Sequence, residues 1–194
     1  MTGLFDADDG ATPLAPEERN GLIPSHVTLR HELNELEQLN IIEADQWAFQ
    51  RKRNVLNEPF LRGLHRRMFN HVWSWAGQYR TTERNFGLPH YRILPEMMQI
   101  IDDVKYWIEH ETYPPDEIAV RYHHRLVVVH PFANGNGRWS RMAADLLAVQ
   151  LGRTRFTWGS TNLQPVGELR RRYIDALHAA DNHDMEPLIA FARS

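Results

Sequence analysis

The chain contains no cysteine, which excludes disulfides and thiolate metal sites and suits a reducing compartment. No apolar run approaches the roughly 20 residues that a membrane span needs, so no membrane contact is expected. The first residues, Met1 to Pro16, are acidic and hold glycine and proline, without the basic start and apolar centre of a secretory leader. A cytoplasmic location is the expectation. Neither sign of charge prevails: 22 Lys and Arg against 25 Asp and Glu leave a formal net charge of −3, and no direct nucleic-acid binding is expected. The basic run Arg170-Arg171-Arg172 reads as a solvated helix face. Repeats and low-complexity tracts are also missing.

What is present is an ordinary globular composition, 42% hydrophobic and 24% charged over 194 residues, enough for one buried core. Residues 1–24 read as an extended arm broken by Gly10, Pro13 and Pro16. Apolar periodicity then predicts helices over Thr28–Asn40, Glu43–Arg53 and Glu58–Asn70, the last with a stripe of Phe60, Leu61, Leu64, Met68 and His71. Trp75 and Tyr79 read as core aromatics. The helical period lapses between Thr81 and Leu94, where Thr, Asn, Gly and Pro predict a short β-hairpin with Gly87 and Pro89 at its tip. Further helices are predicted over Met97–Glu109, from Asp116 through Leu126, over Val166–Ala180, and over Asp184–Arg193. The fold class is therefore all-α with one hairpin.

The densest chemistry lies at His130-Pro131-Phe132-Ala133-Asn134-Gly135-Asn136-Gly137-Arg138-Trp139-Ser140-Arg141, between the apolar run 126–129 and a helical segment over Met142–Ala148. A loop feeding a helix start offers backbone N–H groups without intrahelical partners, and glycines let a phosphate approach them. Arg138 suits a bidentate grip on oxygens, and Arg141 lies one turn further along the same face. Asn136 adds an amide donor. His130 is placed to take a proton from an incoming hydroxyl. His123 and His124 join no acid ligands in a metal-binding pattern and are read as packed or helix-bound histidines.

This run resembles the signature of the Fic domain family, His-Pro-Phe-x-(Asp/Glu)-Gly-Asn-Gly-Arg-x-x-Arg, matching at His130, Pro131, Phe132, Gly135, Asn136, Gly137, Arg138 and Arg141. The resemblance implies a Fic-type helical bundle over 25–194, with a flap near 81–94 and the motif at 130–141. It further implies transfer of AMP from ATP to a hydroxyl of a target protein. Under that resemblance His130 is the base and Phe132 anchors the loop. Gly135, Asn136 and Gly137 cradle the α- and β-phosphates, and Arg138 and Arg141 hold the β- and γ-phosphates. Another phosphate-containing donor, or a nucleotide-binding regulatory or toxin-antitoxin module with little turnover, are the alternatives.

The chain departs from the signature at Asn134, where the family's acid holds Mg²⁺. A neutral carbonyl oxygen binds a hard cation less well than a carboxylate. Either the nucleotide phosphates hold the Mg²⁺, or the donor has different metal needs.

Three further likenesses carry expectations. Val72–Arg80 resembles the Trp-Ala-Gly-x-x-Arg stretch before the family's flap, which implies that a target Ser, Thr or Tyr segment docks there by strand addition. Thr28-Leu29-Arg30-His31-Glu32 approximates a self-inhibitory helix motif, with Leu33 where Gly or Asn belongs, so Glu32 is the candidate regulatory residue. Stretches across the whole chain resemble the mobile mystery protein B subfamily, which implies a helix-turn-helix partner protein.

Overall fold

The computed structural model describes residue 4 and residues 14–84, 87–160 and 166–194. Its elements are α1 (Pro16–Arg19), α2 (Arg30–Phe49), α3 (Glu58–Phe69), a 3-10 turn at His90–Arg92, α4 (Ile93–Glu109), α5 (Pro115–Val129), α6 (Asn136–Gln150), α7 (Val166–Asp181) and α8 (Glu186–Arg193). The expected all-α class is what the chain adopts. Local chemistry sets several boundaries. Asn57 caps α3 by accepting from the Phe60 amide at 3.0 Å. Pro115 opens α5, where a missing N–H has no intrahelical partner to lose.

The helices predicted separately over Thr28–Asn40 and Glu43–Arg53 are one continuous helix, α2. Asn40 does not break it, because its side chain serves tertiary partners: Nδ2 donates to the Arg67 carbonyl at 2.8 Å and Oδ1 accepts from the His71 amide at 2.9 Å. It is thereby withdrawn from competition with its own backbone. On α3, Leu61, Leu64 and Met68 are buried as expected, whereas His71 lies past the helix end and is exposed. His65 is buried in its place.

The hairpin expected over 81–94 is not formed among the described residues, and Asn85 and Phe86 lie outside them. Arg80 accounts for the difference. Its guanidinium donates to the carbonyls of Thr82 (2.8 Å), Leu88, Val129 (3.4 Å) and His130 (2.7 Å). One side chain satisfies two carbonyls of this stretch, Thr82 and Leu88, and ties it to the end of α5. The 3-10 turn then leads into α4, which starts at Ile93 and not at Met97.

The early stretch expected as an arm contains α1 and docks on the bundle. Leu22 forms an isolated antiparallel bridge with Trp73, and the Glu18 carboxylate receives Arg84, the Thr82 hydroxyl at 3.2 Å and the Ala15 amide at 2.8 Å. Helix α5 is central, packing on α4, α6 and α8, while α2 lies on α3 and α7 on α8. Leu61, Leu64, Met68, Tyr122, Leu126, Phe132 and Trp139 fill the core between them. Among the described residues no helix is long and apolar enough to cross a membrane.

Candidate active site

Only residues 130–135 separate α5 from α6, so the motif is a tight corner between the central helix and its neighbour. His130 ends α5 in the left-handed conformation, φ 51° and ψ 60°, which costs a non-glycine residue roughly 1 kcal/mol. Arg80 holds the corner: Nε donates to the His130 carbonyl at 2.7 Å, and the Arg80 amide donates to the Pro131 carbonyl at 2.9 Å. Gly87 lies against the histidine. A Cβ there would sit 2.8 Å from His130 Cβ, and its φ is +99°, so space and backbone both call for glycine.

His130 is 7% exposed. Burial, with the Arg80 and then the Arg84 guanidinium nearby, pushes it down to about 4. It is neutral near pH 7, the state a general base requires.

Phe132 is fully buried, stacked on His65 with ring centroids 3.7 Å apart and edge-on to Trp139 at 4.9 Å. It anchors the loop and has no surface left for a ligand. Asn136 closes the same loop: Oδ1 accepts from the Phe132 amide at 2.9 Å and Nδ2 donates to the Phe132 carbonyl at 2.8 Å. This corrects the expectation that its side-chain amide serves a phosphate. What Asn136 offers an anion is its backbone N–H, the first of α6.

Gly135 sits at φ +79°, and a Cβ on it would meet the Phe69 ring at 2.5 Å. Gly137 has open space around it, and its carbonyl accepts from Arg141 Nε at 3.1 Å. The amides of Asn136, Gly137 and Arg138 lie in the first turn of α6, where helix geometry provides no carbonyl partner and the helix dipole is positive. Two guanidiniums stand beside this turn. Arg138 Nη1 donates to Glu37 at 2.7 Å, and its plane lies 4.9 Å over the Phe69 ring. Arg141 is partly buried over Tyr173 at 5.6 Å.

Asn134 does not present its side chain to a cation. Oδ1 accepts from the Gly135 amide at 2.5 Å and faces Arg138 Nη2 at 3.5 Å, while its main-chain carbonyl accepts from His65. Among the described residues there is no group of three or more His, Cys, Asp or Glu that could hold a metal ion. The neutral Asn134 side chain, its oxygen already engaged, adds no charge for a cation at this loop. His123 pairs with the Tyr173 hydroxyl at 3.0 Å, beneath Arg141, and His124 pairs with Asp181 at 2.8 Å.

Glu32, the candidate regulatory acid, caps α2 instead. Its carboxylate accepts from the Thr28 and Leu29 amides, each at 3.1 Å. The acid that reaches a motif arginine is Glu37, further along the same helix. Glu37 is 5% exposed and is shared between Arg138 and Trp73 Nε1, the latter at 2.6 Å. Sequence reading missed Glu37, His65, Arg80 and the Glu18–Arg84 pair. Arg80 alone had a local signal, its place in the Trp-Ala-Gly-x-x-Arg stretch. Glu37 looks in sequence like Glu35 or Glu43, and only helix packing separates them.

Residues 55–148 match the model of the Fic/DOC family. Protein adenylyltransferase fic-1 of Caenorhabditis elegans is 34% identical over 122 residues, covering 60% of this chain and 22% of that protein. The chain thus spans about a fifth of the length of that curated relative. The fold matches the BepC protein of Bartonella tribocorum, a VirB-translocated effector solved with bound AMPPNP, at a TM-score of 0.68 and 17% identity over 92% of this chain and 97% of that one. It also matches the N-terminal Fic domain of a Bartonella quintana cell filamentation protein, at 0.69 and 17% identity over 91% of both chains. With the corner, the glycines and both motif arginines in place, residues 55–148 are similar to the Fic/DOC family.

Proposed function

We propose that this chain is a protein adenylyltransferase that moves AMP from ATP to a hydroxyl side chain of a target protein. One observation carries the reading: a buried, neutral imidazole, His130, lies in the same corner as the unpaired first amides of α6 and the guanidiniums of Arg138 and Arg141. The relative named as a protein adenylyltransferase and the neighbour holding AMPPNP support the choice of nucleotide.

In this reaction the target hydroxyl oxygen bonds to the α-phosphorus and gives its proton to His130. The α–β anhydride bond breaks and pyrophosphate leaves. Backbone N–H groups of Gly137 and Arg138 and the two guanidiniums stabilise the charge that builds on the departing oxygens. Mg²⁺, where the reaction uses it, enters as the nucleotide's own counterion, since Asn134 supplies no charge and has its oxygen engaged. The target segment docks beside Gly87, where the chain passes over His130. A helix-turn-helix partner and a cytoplasmic setting complete the proposal.

A second reading has its own observation. Arg138 is tied to Glu37, so a nucleotide-binding module of low turnover fits a resting state of this site. Calorimetry with AMPPNP and transfer of labelled AMP to proteins of a lysate separate the two. The wild type is expected to bind and transfer, and His130→Ala to bind within a few-fold while transferring nothing. Full transfer by that variant would overturn the base assignment, and binding without transfer by the wild type would favour the module.

A further inference from the structure

His65, a fully buried histidine on α3, ties the motif loop to the turn that follows that helix. Its Nε2 lies 2.9 Å from the Asn134 carbonyl, and its Nδ1 lies 3.0 Å from the Gly77 amide nitrogen. A carbonyl only accepts and an amide N–H only donates, so the ring proton is on Nε2 and Nδ1 is bare. The ring face stacks on Phe132, and the Phe69 ring lies tilted to it at 4.7 Å. Neither hydrogen bond can be replaced by water in such an enclosure, and the ring has little room to turn.

The two bonds differ in what they reach. The Gly77 bond fastens the ring to its own neighbourhood. The Asn134 bond fixes the peptide plane leading into Gly135, whose N–H closes onto Asn134 Oδ1 at 2.5 Å and whose left-handed turn starts α6. The direction of the following amides depends on that plane.

We propose that His65 is a positioning residue: as the Nε2–H tautomer it orients the Asn134–Gly135 peptide and so aims the first amides of α6 at the nucleotide's phosphates. This rests on the reading of the loop as a nucleotide site. Glutamine at position 65 can reproduce the Nε2 donor and lose the Nδ1 acceptor, while asparagine reproduces the acceptor and loses the donor. Each variant deletes one buried hydrogen bond, so a purely structural role treats them alike. A positioning role does not.

His65→Gln is expected to bind AMPPNP within about threefold of the wild type, and His65→Asn about tenfold more weakly. KM for ATP should follow that order with kcat little changed, and the two variants should melt at similar temperatures. Equal affinity in both folded variants would overturn the proposal. Amide hydrogen exchange at Gly135, Asn136 and Gly137 reads the same contact without nucleotide, and should be about tenfold faster in His65→Asn than in His65→Gln. Equal exchange would also overturn it. In the unmodified protein, ¹⁵N NMR should report the Nε2–H tautomer at His65, and the Nδ1–H form would refute the assignment. A wild type that binds no nucleotide would refute the functional reading, leaving exchange and tautomer to decide the role of His65.

Discussion

As the proposed base, His130 faces two demands that pull in opposite directions. A base must be unprotonated at working pH, which burial and the neighbouring Arg80 and Arg84 ensure by pushing the imidazole down to about 4. The same forces make it a weaker proton acceptor, so its contribution depends on the phosphates of a bound nucleotide offsetting that positive charge. The consequence is measurable. The acid limb of kcat/KM, which reports the free enzyme, should fall near pH 4 and leave activity nearly flat from pH 7 down to about 5. A limb at the ordinary histidine value of about 6.5 would mean that the ring is solvated before nucleotide arrives. Arg138 is constrained at the same scale: its ion pair with buried Glu37 fixes one edge of the guanidinium and leaves the rest, a third exposed, to face an anion.

At the scale of elements, α1 fastens the segment that passes beside His130. Glu18 clamps the segment leading to Gly87 through Arg84 and Thr82, and the Arg84–Glu18 pair is nearly buried, with side chains 7% and 11% exposed. Deleting one member of a buried pair strands the other, a cost of about 3–5 kcal/mol. Glu18→Ala should therefore lower stability by roughly 3 kcal/mol in urea unfolding. It should also speed hydrogen exchange at residues 80–84 while leaving α4 and α5 protected. Exchange that rises evenly over the whole chain would show that Glu18 supports the bundle at large and not this segment.

Across the whole molecule, three buried histidines share one electrostatic fate. His65 and His123 are pushed down to about 3 and His130 to about 4, chiefly by burial. Each has a folded value below its unfolded one of about 6.5. The unfolded chain therefore binds protons that the folded chain refuses. Their contribution is complete above about pH 6.5 and is lost as pH falls toward 4, at about 1.4 kcal/mol per pH unit for each ring. Asp145 opposes them: burial raises it to about 6, so its protonated form favours the folded state over the acid side of that window. The net expectation is a melting temperature that drops steeply between pH 6 and 4, with His123→Phe flattening the slope by about one proton. A melting temperature constant across that range would show that these rings are not held neutral.

The helical class and the motif corner were legible in the sequence because both rest on local rules: apolar period, capping residues, and a glycine-rich segment between two helices. His130, Gly135, Arg138 and Arg141 stand where that reading put them. The break expected near Asn40 and the hairpin over 81–94 failed where a side chain from elsewhere met the backbone's needs, Asn40 bridging to α3 and Arg80 gathering four carbonyls. Glu32 was picked by spacing, yet its carboxylate found the nearest free amides at its own helix start. The linear order of residues determined which groups could do chemistry and which turns they required. Only the packed structure decided that Glu37, 101 residues before Arg138 in the chain, is its partner, and that His65 lies under Asn134. Contacts between distant segments depend on how helices stack, and no local pattern encodes that.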